Sequence, residues 1–145
     1  MKRIVIPIDF SDVTDRVIEF VTPLATVFDA KLWLVHVAQP HPDFNGLSLA
    51  QAEDWRMISV LPVHQPLIAL AEKLNAEGLV TTPVLLQGPP VESIHETVKA
   101  VDADMIVLGS HGHGALYDLL VGSVSEGVMR YSTVPVCIVP SPQDE

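Results

Sequence analysis

Five short apolar runs rich in β-branched residues alternate with segments of helical periodicity, and this alternation restricts the fold more than any other feature. Turn-forming residues bound the runs, which cover 4–6, 31–37, 80–86, 103–108 and 135–139. Strands that alternate with helices are typical of a parallel sheet covered by helices on both faces. We therefore expect an α/β fold built on five parallel strands.

The segments between the strands are predicted to be helical because their apolar residues recur at steps of three and four. The clearest predicted face, in the first helix, consists of Val13, Val17, Phe20, Leu24 and Val27. Further helices are expected over about 90–101 and 123–131. The region 50–75 has helical composition, but Pro62 and Pro66 predict two shorter helices or one kinked region there.

Two prolines indicate the order of the strands. Pro83 lies inside the third run and Pro135 opens the fifth, and proline is tolerated mainly in edge strands or at strand starts. These two strands are therefore expected at the edges of a doubly wound sheet with the order 3-2-1-4-5. In that order the winding reverses between the first and fourth strands, which is where ligands bind in such folds.

Composition narrows the class of protein further. The 145 residues fit a single domain, 1–145, and 48% hydrophobic residues against 18% charged ones favour a packed core. A formal net charge of −10, with eight Lys and Arg, disfavours nucleic acid as a partner. Without an export signal or an apolar run of the roughly 20 residues that span a bilayer, we expect a cytoplasmic protein without membrane insertion.

Two groups of residues follow the strands at the expected switch point. Pro7 and Asp9 follow the first strand, and Gly109-Ser110-His111-Gly112 follows the fourth. Glycines allow close approach of a ligand and positive φ angles, which turn successive N–H groups towards an anion. Asp9 has an alternative role as a turn residue before Ser11, which is a candidate N-cap of the first helix.

The last helix has a well-marked start. Ser123-Val124-Ser125-Glu126 fits the S/T-x-x-E capping box, directly after Gly122. Phosphate oxygens would find N–H donors at residues 122–124 and hydroxyl donors on Ser123 and Ser125. Any capped helix offers the same groups without a ligand. Gly127, inside this helix, costs about 1 kcal/mol relative to Ala unless a close contact requires it.

The glycine spacing resembles that of a known family. Gly109-x2-Gly112-x9-Gly122-Ser123 is similar to the G-x2-G-x9-G-[S/T] signature of ATP-binding universal stress proteins. The resemblance extends to Ile6-Pro7-Ile8-Asp9-Phe10-Ser11, to Leu34-Val35-His36-Val37 and to Pro135-Val136-Cys137-Ile138-Val139. It covers nearly the whole chain except 39–66.

The resemblance implies a binding protein for ATP, with Mg²⁺ or Mn²⁺, that forms a homodimer through its C-terminal strand. Asp9 would lie near the ribose and hold the metal, and the Val37 backbone would meet adenine. The nucleotide-binding residues that the resemblance implies are Pro7, Asp9, Val37, Leu108, Gly109, Gly112, Gly122, Ser123 and Val124. To these the local sequence adds Ser125, from the helix start, and His111, since a histidine in a glycine-rich loop often hydrogen-bonds phosphate.

Other kinds of site find less support. His111 and His113, with His36 and Asp9, form an alternative transition-metal site, but neither an H-E-x-x-H motif nor paired cysteines accompany them. Cys137, in an apolar strand, is expected to pack as a small hydrophobe. The chain lacks the G-x-x-x-x-G-K-[ST], G-x-S-x-G and G-x-G-x-x-G motifs, which argues against P-loop ATPases, α/β-hydrolases and dinucleotide binding.

Three functions therefore compete. The first is an ATP-binding regulatory or stress-response module that is not an enzyme and acts through an unidentified protein partner. The second is a slow ATPase or phosphate-transferring enzyme using the same pocket, for which no base or water-positioning residue can be named beside the phosphates. The third is a nucleotide-free scaffold in which the glycine loop has only a structural role.

Overall fold

A computed structural model describes residues 1–38, 65–111 and 121–141. Within them one sheet contains five parallel strands in the order β3-β2-β1-β4-β5. The strands are β1 (Arg3–Pro7), β2 (Lys31–Ala38), β3 (Thr81–Gln87), β4 (Met105–Gly109) and β5 (Val136–Val139). The order predicted from the prolines is confirmed, because Pro83 lies in the edge strand β3 and Pro135 directly precedes the edge strand β5.

Four helices connect the strands in the described part of the chain. They are α1 (Thr14–Phe28), α2 (Gln65–Ala76), α3 (Pro90–Val101) and α4 (Ser123–Tyr131). The bounds of α3 and α4 agree with the sequence prediction. Pro66 is the second residue of α2, where a missing N–H costs little, and the rest of the predicted helical region 50–75 lies outside the described residues.

The core has two layers, one on each face of the sheet. Side chains of α1 and α2 pack on one face, and side chains of α3 and α4 pack on the other. Consecutive residues of β1 alternate between the layers, since Ile4 and Ile6 belong to the first and Val5 to the second. The expected helices on both faces are thereby confirmed.

The buried face of α1 differs from the predicted one. Phe20 is 42% exposed and Val27 is 79% exposed. The side chains of the helix that are buried are Thr14, Val17, Val21 and Ala25. At about 100° per residue, this stripe is rotated by about 80° from the predicted stripe, with Val17 common to both. Of the other predicted residues, Val13 is buried and Leu24 packs partly buried against the same core layer. The apolar pattern therefore predicted the helix and part of its packed face correctly, and was wrong for Phe20 and Val27.

Gly127 is explained by the contact between α3 and α4. A Cβ atom at this position would lie 2.7 Å from Cγ2 of Val91, closer than carbon atoms approach without displacement. The glycine therefore allows the two helices to pack closely. This close contact offsets the helix-propensity cost of Gly127 that the sequence indicates.

Asp104 joins the start of β1 to the turn before β4. Its Oδ2 accepts the backbone N–H groups of Lys2 at 2.8 Å and Arg3 at 2.9 Å, and its own N–H donates to the Arg3 carbonyl. The two accepted backbone hydrogen bonds, first from Lys2 and then from Arg3, lower the pKa of this carboxyl. Its folded pKa therefore lies below its unfolded pKa.

This lowered pKa predicts a pH-dependent contribution to stability. The contribution is present above the unfolded pKa, near 4, and is lost as the pH falls through the folded pKa. Asp104→Asn is expected to destabilise the protein at pH 7, and the deficit should shrink as the pH is lowered towards 3. Urea unfolding at several pH values measures it. Asp102→Asn is the control, since Asp102 forms an exposed 3.5 Å ion pair with Arg3. A loss of stability in Asp104→Asn that does not change with pH would contradict the prediction.

Candidate functional site

The carboxyl ends of β1 and β4 lie side by side at the switch point of the sheet. The two strands pair in parallel, with Ile4 opposite Met105 and Val5 opposite Ile106. Close packing continues beyond the strands, because the Cα of Gly109 lies against the side chain of Val13. The start of α1 and the end of β4 therefore form one continuous wall, as the fold predicts for a ligand site.

A strained turn follows β1. Oδ1 of Asp9 accepts the N–H of Ser11 at 3.0 Å, and the carbonyl of Ser11 accepts the N–H of Thr14 at 3.1 Å. Phe10, between Asp9 and Ser11, has a φ of 62°, a conformation that costs a bulky residue about 1–3 kcal/mol and is often found at functional sites. Asp9 therefore acts as a turn residue, the alternative role given for it above. The hydrogen bond from Ser11 fixes the Asp9 carboxylate at the end of β1.

The predicted N-cap of α1 is wrong. The capping position belongs to Val13, without a side-chain hydrogen bond to the helix, and the Ser11 hydroxyl is buried without a partner. The physical reason is the turn at residues 11–14, which separates Ser11 from the first helical residue, Thr14. A capping hydroxyl must belong to the residue that flanks the helix.

His36 fixes the turn from the neighbouring strand, a contact the sequence analysis did not anticipate. Its Nδ1 lies 2.9 Å from the carbonyl of Ile8, so Nδ1 carries a proton and donates it. Its ring also meets the ring of Phe10 edge-on, with centroids 5.3 Å apart. The next residue, Val37, is half-buried in the core layer of α3 and α4, together with the buried Leu108.

The chain after β4 is held by several hydrogen bonds centred on Ser110. Its N–H donates to the Val139 carbonyl at 2.8 Å, and its carbonyl accepts the N–H of Gly122 at 2.7 Å. Its hydroxyl accepts the N–H of Ser141 at 3.0 Å and lies 3.1 Å from Nδ1 of His111. Neither Ser110 nor Ser141 was predicted from sequence as a site residue. This network brings the end of β5 and the start of α4 together.

The start of α4 lacks the predicted capping box. Gly122 is the N-cap residue, and no side chain caps the helix. Ser123 is the first helical residue rather than the cap, while the carboxylate of Glu126 pairs with Arg130 at 2.7 Å. Ser123 and Val124 are exposed, and N–H groups in the first turn of a helix have no intrahelical acceptor. The helix dipole and these N–H groups favour an anion.

Two of the predicted phosphate donors already have partners. The Gly122 N–H donates to Ser110, as described above. The Ser125 hydroxyl donates its one proton to the Gly109 carbonyl at 2.7 Å, and its role as a phosphate donor stays a prediction. Ser123 and Val124 carry the predicted donors that remain at this helix start.

The two signature glycines that the structure describes, Gly109 and Gly122, do not adopt the predicted positive φ angles. Gly122 has a φ of −73°, and the glycines with positive φ among the described residues are Gly78 and Gly88. Gly109 is required by its contact with Val13, and a Cβ on Gly122 would lie 3.3 Å from the Ser110 carbonyl oxygen. Both glycines therefore permit close packing of the chain. Gly112 and His113 lie outside the described residues.

The candidate metal and cysteine residues in the described part of the chain are His36, Asp9, His111 and Cys137. No group of three or more His, Cys, Asp or Glu side chains that would hold a metal lies within residues 1–38, 65–111 and 121–141. The alternative transition-metal site of His111, His113, His36 and Asp9 includes a residue outside the described ranges, His113, so it stays a hypothesis. Cys137 packs partly buried against the core layer of α1 and α2, and burial raises the pKa of its thiol, which agrees with packing.

Comparison with known proteins gives one consistent family. A model of the universal stress protein family matches residues 1–140. A universal stress protein of Methanocaldococcus jannaschii is 34% identical over 147 residues, covering 99% of this chain and 85% of the relative. One from Thermus aquaticus is 32% identical over 144 residues, covering 95% of this chain and 98% of the relative.

Solved structures share the fold. A universal stress protein of Archaeoglobus fulgidus superposes with a TM-score of 0.71 at 26% identity, covering 99% of this chain and 45% of that longer chain. A universal stress protein in complex with cAMP gives 0.68 at 24% identity, with 95% of each chain covered. An Archaeoglobus fulgidus protein in complex with dAMP gives 0.66 at 23% identity, with 95% and 97% covered. Among the described helices of the present chain, none is long and apolar enough to cross a membrane.

Proposed function

The chain belongs to the universal stress protein family, and from this premise we propose that it binds ATP at the switch point as a dimeric regulatory module. Two structural relatives bind adenine nucleotides, cAMP and dAMP. The observation that carries the proposal is the position of the uncapped start of α4, which the bond from Gly122 to Ser110 holds beside the end of β4. An uncapped helix start suits phosphate, because its N–H groups and dipole both favour negative charge.

The remaining proposed contacts lie in the turn after β1 and at the end of β2. Asp9 in that turn contacts the ribose. The backbone of Val37 contacts the edge of adenine, which requires no polar side chain. Phosphates lie towards α4, where the N–H groups of Ser123 and Val124 face solvent. The other proposed ligand contacts are Pro7, Leu108, Gly109, His111 and Gly112.

Identifying the nucleotide that copurifies with the protein distinguishes the three candidate functions. We expect intact ATP in the supernatant after denaturation of protein prepared without added nucleotide. ADP, with ATP loss over time in solution, would indicate the slow ATPase. Calorimetric titration with ATP, cAMP, AMP and GTP then orders the ligands by affinity, and an absence of binding to all four would contradict the proposal and favour the scaffold.

Divalent metal is expected to assist binding. The chain is acidic, with a formal net charge of −10, so Mg²⁺ or Mn²⁺ would offset the charge of a triphosphate. A carboxylate oxygen suits either cation, and Asp9 supplies one at the end of β1. Asp9→Asn keeps an oxygen that can accept the Ser11 N–H and removes only the charge. EDTA should weaken ATP binding at least tenfold in the wild type and little in the variant; an equal EDTA effect in both proteins would remove Asp9 from the metal site.

Dimerisation is proposed through β5. This strand forms one edge of the sheet, and its Val136, Cys137 and Ile138 are only half-buried. An apolar strand with one unpaired edge favours association with another strand, and a second copy is the proposed partner. Ile138→Lys is expected to raise the dimer dissociation constant at least tenfold in sedimentation measurements. Thr133→Lys is the control, because it adds the same charge at an exposed position before the strand, and this variant should remain dimeric. A monomeric wild type at micromolar concentration would contradict the proposal.

A further inference from the structure

Phe10 has an unusual backbone conformation for its position. Among the described residues other than glycine, those with a positive φ are Phe10 at 62°, Asp29 at 52° and Asp102 at 55°. Asp29 and Asp102 are the C-cap residues of α1 and α3, where a left-handed residue commonly ends a helix. Phe10 ends no helix and has a bulky side chain, so contacts from the surrounding structure must hold its conformation.

His36 supplies such contacts on both sides of Asp9. Its Nδ1 donates to the Ile8 carbonyl at 2.9 Å, and its ring meets the Phe10 ring edge-on with centroids 5.3 Å apart. The Ile8 N–H is also bound to β2, because it donates to the Val35 carbonyl at 2.8 Å. Ile8 is 7% exposed, so loss of the His36 side chain would leave its carbonyl without this partner in a buried position.

The two contacts flank the residue that the proposed function places beside the ribose. Asp9 lies between the two residues that His36 contacts, and its carboxylate accepts the Ser11 N–H at 3.0 Å. Movement of either neighbour would therefore turn Asp9 away from the end of β1. We propose that His36 is a positioning residue for nucleotide binding, which holds the turn after β1 so that Asp9 meets the ligand.

This role rests on the proposed function and extends it to the side chains of β2. Val37, the next residue of β2, is the proposed contact of adenine. The end of β2 therefore serves the base through the backbone of Val37 and the ribose through the side chain of His36.

The backbone of Phe10 tests this role without nucleotide. In the full-length, nucleotide-free protein, the HN–Hα coupling and the Cβ chemical shift of Phe10 should indicate a positive φ. His36→Ala should move both signals towards the values of a negative φ, and His36→Phe, which keeps a ring but lacks the donor, should do the same. His36→Asn should retain the wild-type signals, because its amide carries an N–H at the position of Nδ1. Wild-type signals in His36→Ala or His36→Phe, or altered signals in His36→Asn, would overturn the proposal.

His95→Ala is a matched control. His95 is a half-buried histidine of α3, and its buried Nε2 has no hydrogen-bond partner in the described part of the chain. Helix α3 packs on one face of the sheet, whereas Phe10 packs with the core layer on the other face. Removal of this imidazole should therefore leave the Phe10 signals unchanged. If His36→Ala does not fold, His36→Phe gives the same comparison with the ring volume retained.

ATP affinity provides the second readout. His36→Ala should weaken ATP binding about three- to tenfold, in line with the loss of one hydrogen bond, while His36→Asn and His95→Ala should not. Wild-type affinity in His36→Ala, or equal losses in His36→Ala and His36→Asn, would overturn the positioning role. If the wild type binds no nucleotide, the proposed function fails, whereas the nucleotide-free spectra still decide whether His36 holds the turn.

A double variant tests whether His36 acts through the conformation of Phe10. Glycine adopts a positive φ without strain, so Phe10→Gly removes the strain that His36 is proposed to hold. The loss of ATP affinity caused by His36→Ala should therefore be smaller in the Phe10→Gly background than in the wild type. Additive losses would overturn the route from His36 through Phe10.

Discussion

Gly109→Ala is expected to destabilise the fold by about 1–3 kcal/mol, the usual cost of adding a methyl group to a well-packed core. The added Cβ would overlap Cγ1 of Val13 and lie 3.0 Å from its Cγ2. Val13 is 3% exposed, so its side chain has little room to move away. The expected damage is therefore to the packing of α1 on β4, before any effect on a ligand.

A double-mutant cycle with Val13→Ala isolates this contact. Val13→Ala removes both methyl groups that the new Cβ would meet, so the double variant should be at least about 1 kcal/mol more stable than the sum of the single effects predicts. Chemical denaturation of the four proteins measures the coupling. Additive effects would show that Gly109 is needed for a reason other than its packing against Val13.

The sheet could be predicted because its signals are local and strong. Each strand is a compact β-branched run, and proline is disfavoured inside central strands because it lacks an N–H, so Pro83 and Pro135 indicated the edges. Pro7 is compatible with this rule because it is the last residue of the central strand β1. The helix bounds at Ser123 and Tyr131 were predicted for a similar reason, since apolar periodicity and the preceding glycine coincide there. The family resemblance, which the whole-chain match confirms, rests on the glycine spacing in the same region.

The hydrogen bonds of the candidate site could not be predicted because their partners are distant in sequence. Ser123 and Glu126 satisfy the pattern of a capping box, yet the helix start is held by the bond from Gly122 to Ser110. Ser110 is in turn joined to Ser141, 31 residues further along the chain. A local pattern shows which groups need partners, whereas the fold determines which partners they find.

Gly122→Val is expected to abolish ATP binding with only a modest loss of stability. The φ of −73° and ψ of 168° at this position are accessible to valine, so the backbone itself is not strained. The added Cβ would lie 3.3 Å from the Ser110 carbonyl oxygen and 3.6 Å from Cα of His111. The β-branched side chain therefore requires the chain after β4 and the start of α4 to separate by a few tenths of an ångström. That separation would disturb the donors that the proposed function places around the phosphates.

Thermal unfolding with and without Mg-ATP measures the effect. At one hundred times the dissociation constant, ligand adds about 2.7 kcal/mol to the stability of the native state, so the wild-type melting temperature should rise and that of Gly122→Val should not. Gly122→Ala is the matched variant, because it introduces the 3.3 Å contact without the branched methyl groups and should retain part of the shift. The nucleotide-free melting temperatures should stay close, since a shift of a few tenths of an ångström relieves the 3.3 Å contact. An equal ATP-induced rise in wild type and Gly122→Val would place the phosphates away from Gly122 and remove the start of α4 from the proposed site.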